Sequence, residues 1–274
     1  MNPKIDLMII GAQKAGTTSL LYYLGQHPDV ITHYQTEFSF FADDLEYNQG
    51  FTKVFKSQFP AKKYDSSKKI IAKNVTISMK PKAMERLYEH NSHCKIIYIT
   101  RDPVERAISS FNMEVSKGWL KEDINSCFQS ALEDHYEGKY NMYYNLFIKP
   151  GEYAERIKDI QHYFPKENIS LIDFKELVEN PKRITDKLLG ELKLQANKNI
   201  DFKAKNEAYQ IQSGTIKMLM NHFGNEKNQI KKLVKRIIPY RLFHSASDKI
   251  LRSKSVAIKK VEPKKEVFES LKKY

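Results

Sequence analysis

Short apolar runs alternate along the chain with stretches in which apolar residues recur every three to four positions. Ile5 to Ile10, interrupted by Asp6, runs up to Gly11 and predicts a buried strand. Lys69 to Lys73 (KIIAK), Lys95 to Thr100 (KIIYIT) and Ile169 to Phe174 (ISLIDF) predict three more. Between them, Thr17 to Gln26, Pro81 to His90, Pro103 to Lys117 and Glu152 to Tyr163 carry helical spacing, with Pro103 in a first turn, where proline fits. Strands separated by helices predict βαβ units and a parallel sheet. After about Glu179 the pattern becomes mostly helical: Ile184 to Leu192, Thr215 to Phe223, and Lys227 to Ile237 ahead of Pro239. Pro263 to Tyr274 puts Val267, Phe268 and Leu271 on one helical face. No cap or breaker closes it, which predicts that the natural chain continues past Tyr274.

Composition narrows the class. The 274 residues suffice for a large core, and 41% hydrophobic with 29% charged residues excludes a wholly disordered or fibrous chain. Two cysteines, Cys94 and Cys127, exclude a disulfide framework and a multi-cysteine metal site. No apolar run reaches the ~20 residues of a membrane span. The first apolar run is too short for a signal-peptide core, which predicts a cytoplasmic protein. Net charge is +13, and residues 225–274 hold 15 Lys and Arg against 5 Asp and Glu, leaving only +3 for the first 224. That basic segment points to an anionic partner or to a solvated helical face.

Candidate chemistry begins at Gly11-Ala12-Gln13-Lys14-Ala15-Gly16-Thr17-Thr18-Ser19, between a predicted strand and helix. Such a loop aims backbone N–H groups and a helix dipole at one point, which suits a phosphate. Gly11 and Gly16 allow a tight turn, the three hydroxyls add donors, and Lys14 adds a mobile charge. The string is similar to the kinase P-loop, but Thr17 stands where that motif has lysine. No strand ends in an Asp well placed for magnesium, since Asp102 is flanked by Arg101 and Pro103. A second segment, Arg101-Asp102-Pro103-Val104-Glu105-Arg106-Ala107-Ile108-Ser109, delivers an arginine from a strand and a serine two turns along a helix. Together they suit a phosphate monoester; the plainer alternative is a helix cap at Asp102 with Glu105 and Arg106 on the surface.

In combination, Lys14 to Ser19 and Arg101 to Ser109 resemble the two signature elements of the sulfotransferases that use 3′-phosphoadenosine 5′-phosphosulfate (PAPS). The resemblance leans toward the heparan-sulfate and bacterial carbohydrate branch. His27-Pro28-Asp29-Val30, Glu37-Phe38-Ser39-Phe40-Phe41 and Gly151-Glu152-Tyr153 support it, and it runs from about Ile5 to Pro181. It implies a P-loop-like three-layer α/β fold, one sulfotransferase domain over residues 1–274, with a helical, basic C-terminal segment from about 181 to 274. It also implies that Lys14, Ala15, Gly16, Thr17, Thr18 and Ser19 hold the 5′-phosphosulfate, that Arg101 and Ser109 hold the 3′-phosphate, and that adenosine 3′,5′-bisphosphate (PAP) is the product.

Sulfuryl transfer needs a base for the acceptor hydroxyl, charge stabilisation for the leaving phosphate, and alignment. No metal is expected. Glu37 is the expected base, because its aromatic neighbours would raise a carboxyl pKa and because the resemblance marks the same residue. His33 is its rival, and His27 reads as structural. Lys14 is expected at the donor's bridging oxygen or 5′-phosphate. Lys73 resembles the lysine of an E-K-S-P-x-Y-like segment, although Ala72 replaces Glu and Asn74-Val75 replace Ser-Pro; otherwise it is a solvated lysine at a strand end. Trp119, Tyr143 and Tyr144 would suit a sugar groove, but such aromatics are more often core. No Arg-Lys-Gly-type triplet follows Gly224, so Arg252, Lys254, Lys259 and Lys260 are the substitutes over the 3′-phosphate. The expected acceptor is a carbohydrate or glycoconjugate hydroxyl, with an acidic glycan or a membrane headgroup favoured by the basic surplus. The alternatives are a magnesium-dependent P-loop kinase and a non-enzymatic anionic-polymer binder; no helix-turn-helix or RNP motif supports the latter.

Overall fold

A computed structural model describes residues 3–138, 140–203, 209–211, 255–257 and 260–273. The elements run β1 (Leu7–Gly11), α1 (Thr17–Leu24), β2 (Val30–Thr32), α2 (Asp44–Tyr47), α3 (Phe51–Gln58), β3 (Lys69–Lys73), α4 (Pro81–His90), β4 (Lys95–Thr100), α5 (Pro103–Lys117) and α6 (Ile124–Tyr136). They continue with α7 (Tyr153–Tyr163), β5 (Ile169–Asp173), α8 (Phe174–Glu179), α9 (Pro181–Glu191), β6 (Tyr209–Ile211), β7 (Ser255–Ala257) and α10 (Lys265–Lys273). The chain divides into two compact units, Met1–Arg101 with Glu152–Asn206, and Asp102–Gly151 with Glu207–Tyr274.

The first unit is built on a parallel five-stranded sheet in the order β2-β3-β1-β4-β5. Its strands read as continuous apolar runs because helices cover both faces of such sheets. All five residues of β1 are buried, as are Ile96 to Ile99 in β4. Register follows from that burial: Leu7 lies opposite Ile71 and Lys95, and Ile9 opposite Lys73. Helix α1 packs on α9, and α4 on α7. The chain leaves β1 toward β2 and β3, then crosses to β4 and β5. The order therefore reverses beside β1, and open α/β sheets bind ligands at the carboxyl edge of such a reversal.

Gly11 closes β1 against the ring of Tyr98, which is 1% exposed. A Cβ at residue 11 would fall 2.4 Å from that ring. Gly11→Ala is therefore expected to lose about 1–3 kcal/mol of stability through overpacking, read by denaturant unfolding. Unchanged stability would mean that the ring gives way.

In the second unit Asp102 accepts from Glu105 N–H at 2.8 Å and caps α5, which ends at Gly118 in the left-handed region (φ 73°). Val104, Ala107, Ile108 and Phe111 form its buried stripe. Helix α6 adds Ile124, Cys127, Phe128, Ala131 and Leu132 at the same spacing. Of the predicted C-terminal face, Val267 and Leu271 are buried, while Phe268 is partly exposed beneath the Lys272 ammonium. Asn112 binds both main-chain groups of Val261, its Nδ2 donating to the carbonyl and its Oδ1 accepting the N–H. The predicted helices Thr215–Phe223 and Lys227–Ile237 lie outside the described residues, as do Arg252, Lys254 and Lys259. The segment after residue 181 is not wholly helical, because β6 and β7 pair antiparallel.

Candidate active site

Because the strands are parallel, β1, β3 and β4 deliver Gly11, Lys73 and Arg101 to one edge of the sheet. After Gly11 the loop turns back through Ala12 N–H to Ile99 O (2.8 Å) and Ala15 N–H to Ala12 O (3.2 Å). Lys14 and Gly16 both take positive φ, 70° and 79°. At Gly16 only glycine suits, since a Cβ would also meet the Phe174 ring at 3.0 Å. Helix α1 starts at Thr17 without a side-chain cap and without an acidic residue in its first turn. Its first helical hydrogen bond is Leu20 N–H to Gly16 O, so the Thr17 and Thr18 N–H groups have no intrahelical acceptor. That is the wiring of an anion-binding turn.

Arg101 is tied to this loop. Its Nη1 donates to the Lys14 carbonyl at 3.0 Å, and its guanidinium lies 4.7 Å over the Phe174 ring. Tyr153 pins the arginine's main chain: its hydroxyl accepts from Arg101 N–H (3.3 Å) and donates to Arg101 O (2.8 Å). In the sequence Tyr153 is visible only as part of Gly151-Glu152-Tyr153; in the fold its hydroxyl holds the Arg101 main chain.

Glu37 lies on the same edge. Phe38, Phe40 and Phe41 turn into the core, with Phe38 5.1 Å from Phe59 between ring centroids. The expectation that those rings set the carboxyl's character is corrected by its actual partners. Lys73 Nζ donates to Oε1 at 2.5 Å, and Val75 N–H donates to Oε2 at 3.0 Å. Lys73 is not a solvated lysine: its side chain is 1% exposed, against 32% for Glu37. Burial pulls the Lys73 pKa below its ordinary value, and the charge and hydrogen bond of Glu37 oppose that shift.

His33 sits behind the pair. Its Nε2 accepts Lys73 N–H at 3.1 Å, and burial, reinforced by the Lys73 charge, lowers its pKa to about 3. A ring whose Nε2 is already bonded to main chain, in a buried site, is placed for holding strand β3 and not for proton transfer. The unfolded chain protonates this histidine below about pH 6.5, whereas the folded chain resists until about pH 3. Stability present above pH 6.5 is therefore lost as pH falls through that window, with a slope up to about 1.4 kcal/mol per pH unit. His33→Gln is expected to flatten the slope, checked by denaturant unfolding from pH 7 to 4. His90, lowered by burial to about 4, keeps its own share in that variant. His27 is structural as expected, accepting Asp29 N–H at Nδ1 with Nε2 3.1 Å from the Gln195 carbonyl.

In the second unit, Ser109 is half-buried on α5. Arg106 corrects the surface alternative: it is fully buried and donates from Nη2 to the Phe147 carbonyl. Tyr144 belongs to the core, whereas Trp119 is 54% exposed with the Lys117 ammonium 4.4 Å over its ring. Among the described residues no group of three His, Cys, Asp or Glu is arranged to hold a metal, and no helix is long and apolar enough to cross a membrane.

A parallel sheet whose first strand feeds a glycine turn into a helix, with an arginine and a lysine–carboxylate pair on the same edge, defines an α/β protein of the P-loop type. The chain belongs to the sulfotransferase domain family, whose model matches residues 4–237. It is 28% identical over 175 residues to human (Homo sapiens) heparan sulfate glucosamine 3-O-sulfotransferase 5, covering 64% of this chain and 49% of that protein. It is 27% identical over 205 residues to mouse (Mus musculus) heparan sulfate glucosamine 3-O-sulfotransferase 3B1, covering 71% and 48%. The chain thus spans about half the length of the curated relatives it matches. The crystal structure of a sulfotransferase from Alicyclobacillus acidocaldarius shares the fold, with a TM-score of 0.61, 21% identity, and 75% and 87% of the two chains covered.

Proposed function

We propose that the protein is a sulfotransferase that moves the sulfuryl group of PAPS to a hydroxyl of a carbohydrate or glycoconjugate, with Glu37 as general base. The observation that carries this reading is the Glu37–Lys73 pair at the end of β3, one strand from the β1 end that opens the glycine turn. The residues fit the donor. From Gly11 to Ser19 the turn holds no acidic side chain, and Lys14 and Arg101 bring two cations to it. Lys14, Ala15, Gly16, Thr17, Thr18 and Ser19 would hold the 5′-phosphosulfate, and Arg101 with Ser109 the 3′-phosphate. When bound, PAPS supplies the sulfuryl group and a phosphate leaving group. Glu37 takes the acceptor proton on a carboxylate oxygen, Lys73 orients that carboxylate, and Lys14 offsets charge on the leaving phosphate. The names of the relatives support a polysaccharide acceptor, and the basic C-terminal segment supports an acidic glycan or a membrane headgroup.

A calorimetric titration with PAP in EDTA tests the donor site, and transfer of labelled sulfate from PAPS to heparan sulfate and other glycans tests the reaction. Binding without metal, followed by labelled glycan, is expected. No PAP binding, or a response to ATP and magnesium in its place, would overturn the reading.

A further inference from the structure

The lysine segment has Ala72, Asn74 and Val75 where the E-K-S-P-x-Y-like pattern it resembles has Glu, Ser and Pro, and the last of these departures adds a chemical group. Proline has no N–H. Val75, standing at the proline position, has one, and it donates to Glu37 Oε2 at 3.0 Å. Lys73 Nζ holds the other oxygen. A carboxylate held at one oxygen can still swing about its last single bond. Donors at both oxygens fix its plane and leave further lone pairs for an incoming hydroxyl.

The Val75 N–H is itself held rigidly. Asn74, 3% exposed, donates from its main-chain N–H to Ile9 O (2.9 Å) and from Nδ2 to Phe38 O (3.0 Å). Its Oδ1 accepts Thr76 N–H (2.9 Å) and the Thr76 hydroxyl (2.8 Å). Phe38 N–H donates to Lys73 O at 2.8 Å. The main chain beside Glu37 and on both sides of Val75 is thus stitched to the end of the sheet. We propose that the main-chain N–H of Val75 is a positioning group for sulfuryl transfer, fixing the plane of the Glu37 carboxylate, and that Asn74 holds that N–H in place. The inference rests on the reading of Glu37 as the base.

The test uses the full chain. Val75→Pro removes the donor, and Val75→Ala keeps it. With labelled PAPS and heparan sulfate, Val75→Pro is expected to lower kcat about 10- to 100-fold, the weight of one hydrogen bond to a charged group, with KM for PAPS and PAP affinity within about 2-fold. Val75→Ala is expected to recover most of that loss. If the proline variant does not fold, replacing residue 75 by its α-hydroxy acid swaps N–H for an ester oxygen and should give the same loss. Hydrogen exchange of the Val75 amide reads the contact without any acceptor: protection in the parent chain that disappears in Glu37→Ala supports the proposal. A parent amide that exchanges freely, or a folded proline or ester variant with parent kcat, overturns it. Failure of the base reading looks different, because Glu37→Gln would then keep its turnover.

Discussion

Glu37→Gln is expected to bind PAP as the parent does and to lose turnover by about 10²- to 10⁴-fold, the usual weight of a general base. The substitution keeps the side chain's shape and a hydrogen-bond acceptor for Lys73 or Val75, but it removes the proton acceptor. It also removes the charge that opposes desolvation of Lys73, so the lysine's pKa is expected to fall further. Burying the lysine's charge without its carboxylate costs free energy, and that cost falls as rising pH favours the neutral amine. The loss in stability should therefore be smaller at pH 9 than at pH 6, which unfolding curves at the two values would show. Parent-like turnover in this variant would remove Glu37 from the chemistry.

Arg101→Ala should instead strike the donor site, weakening PAP affinity by about 30-fold or more, as expected for truncating one member of a hydrogen-bonded charge pair. Two effects combine. The guanidinium is lost as a phosphate partner, and the Lys14 carbonyl loses the donor that braces the loop in its positive-φ turn. Arg101→Lys should not rescue it, because an ammonium cannot reach the Lys14 carbonyl, lie flat over Phe174 and meet a phosphate together. Calorimetry on the two variants decides the point; parent affinity in Arg101→Ala would place the 3′-phosphate elsewhere.

The parallel sheet was legible because its central strands are buried on both faces and so read as unbroken apolar runs. LMIIG and KIIYIT could be little else. Strand β2 was missed because three residues, Val30 to Thr32, carry no period, and only pairing with Lys69 to Ile71 defines them. Helix α6 does carry a signal in the sequence: Asp123 as cap, then apolar residues at 124, 127, 128, 131 and 132. Glu37, Lys73 and Arg101 stand out in the sequence by residue type and motif as candidates. Their geometry was not. Arg106 looks like a surface arginine in sequence, and its burial, with a bond to the Phe147 carbonyl 41 positions away, shows otherwise. Val75 meets Glu37 through its backbone N–H, which no side-chain pattern reports.

The central position of β1 has a consequence for synthesis. This strand is made before the others of its sheet, and its partners β3 and β4 begin only at Lys69 and Lys95. At roughly 5–20 residues per second the nascent chain carries an unpaired, wholly apolar segment for several seconds before either flank can be translated. Slowed elongation between Gln26 and Lys95 would lengthen that aggregation-prone window without altering any native contact.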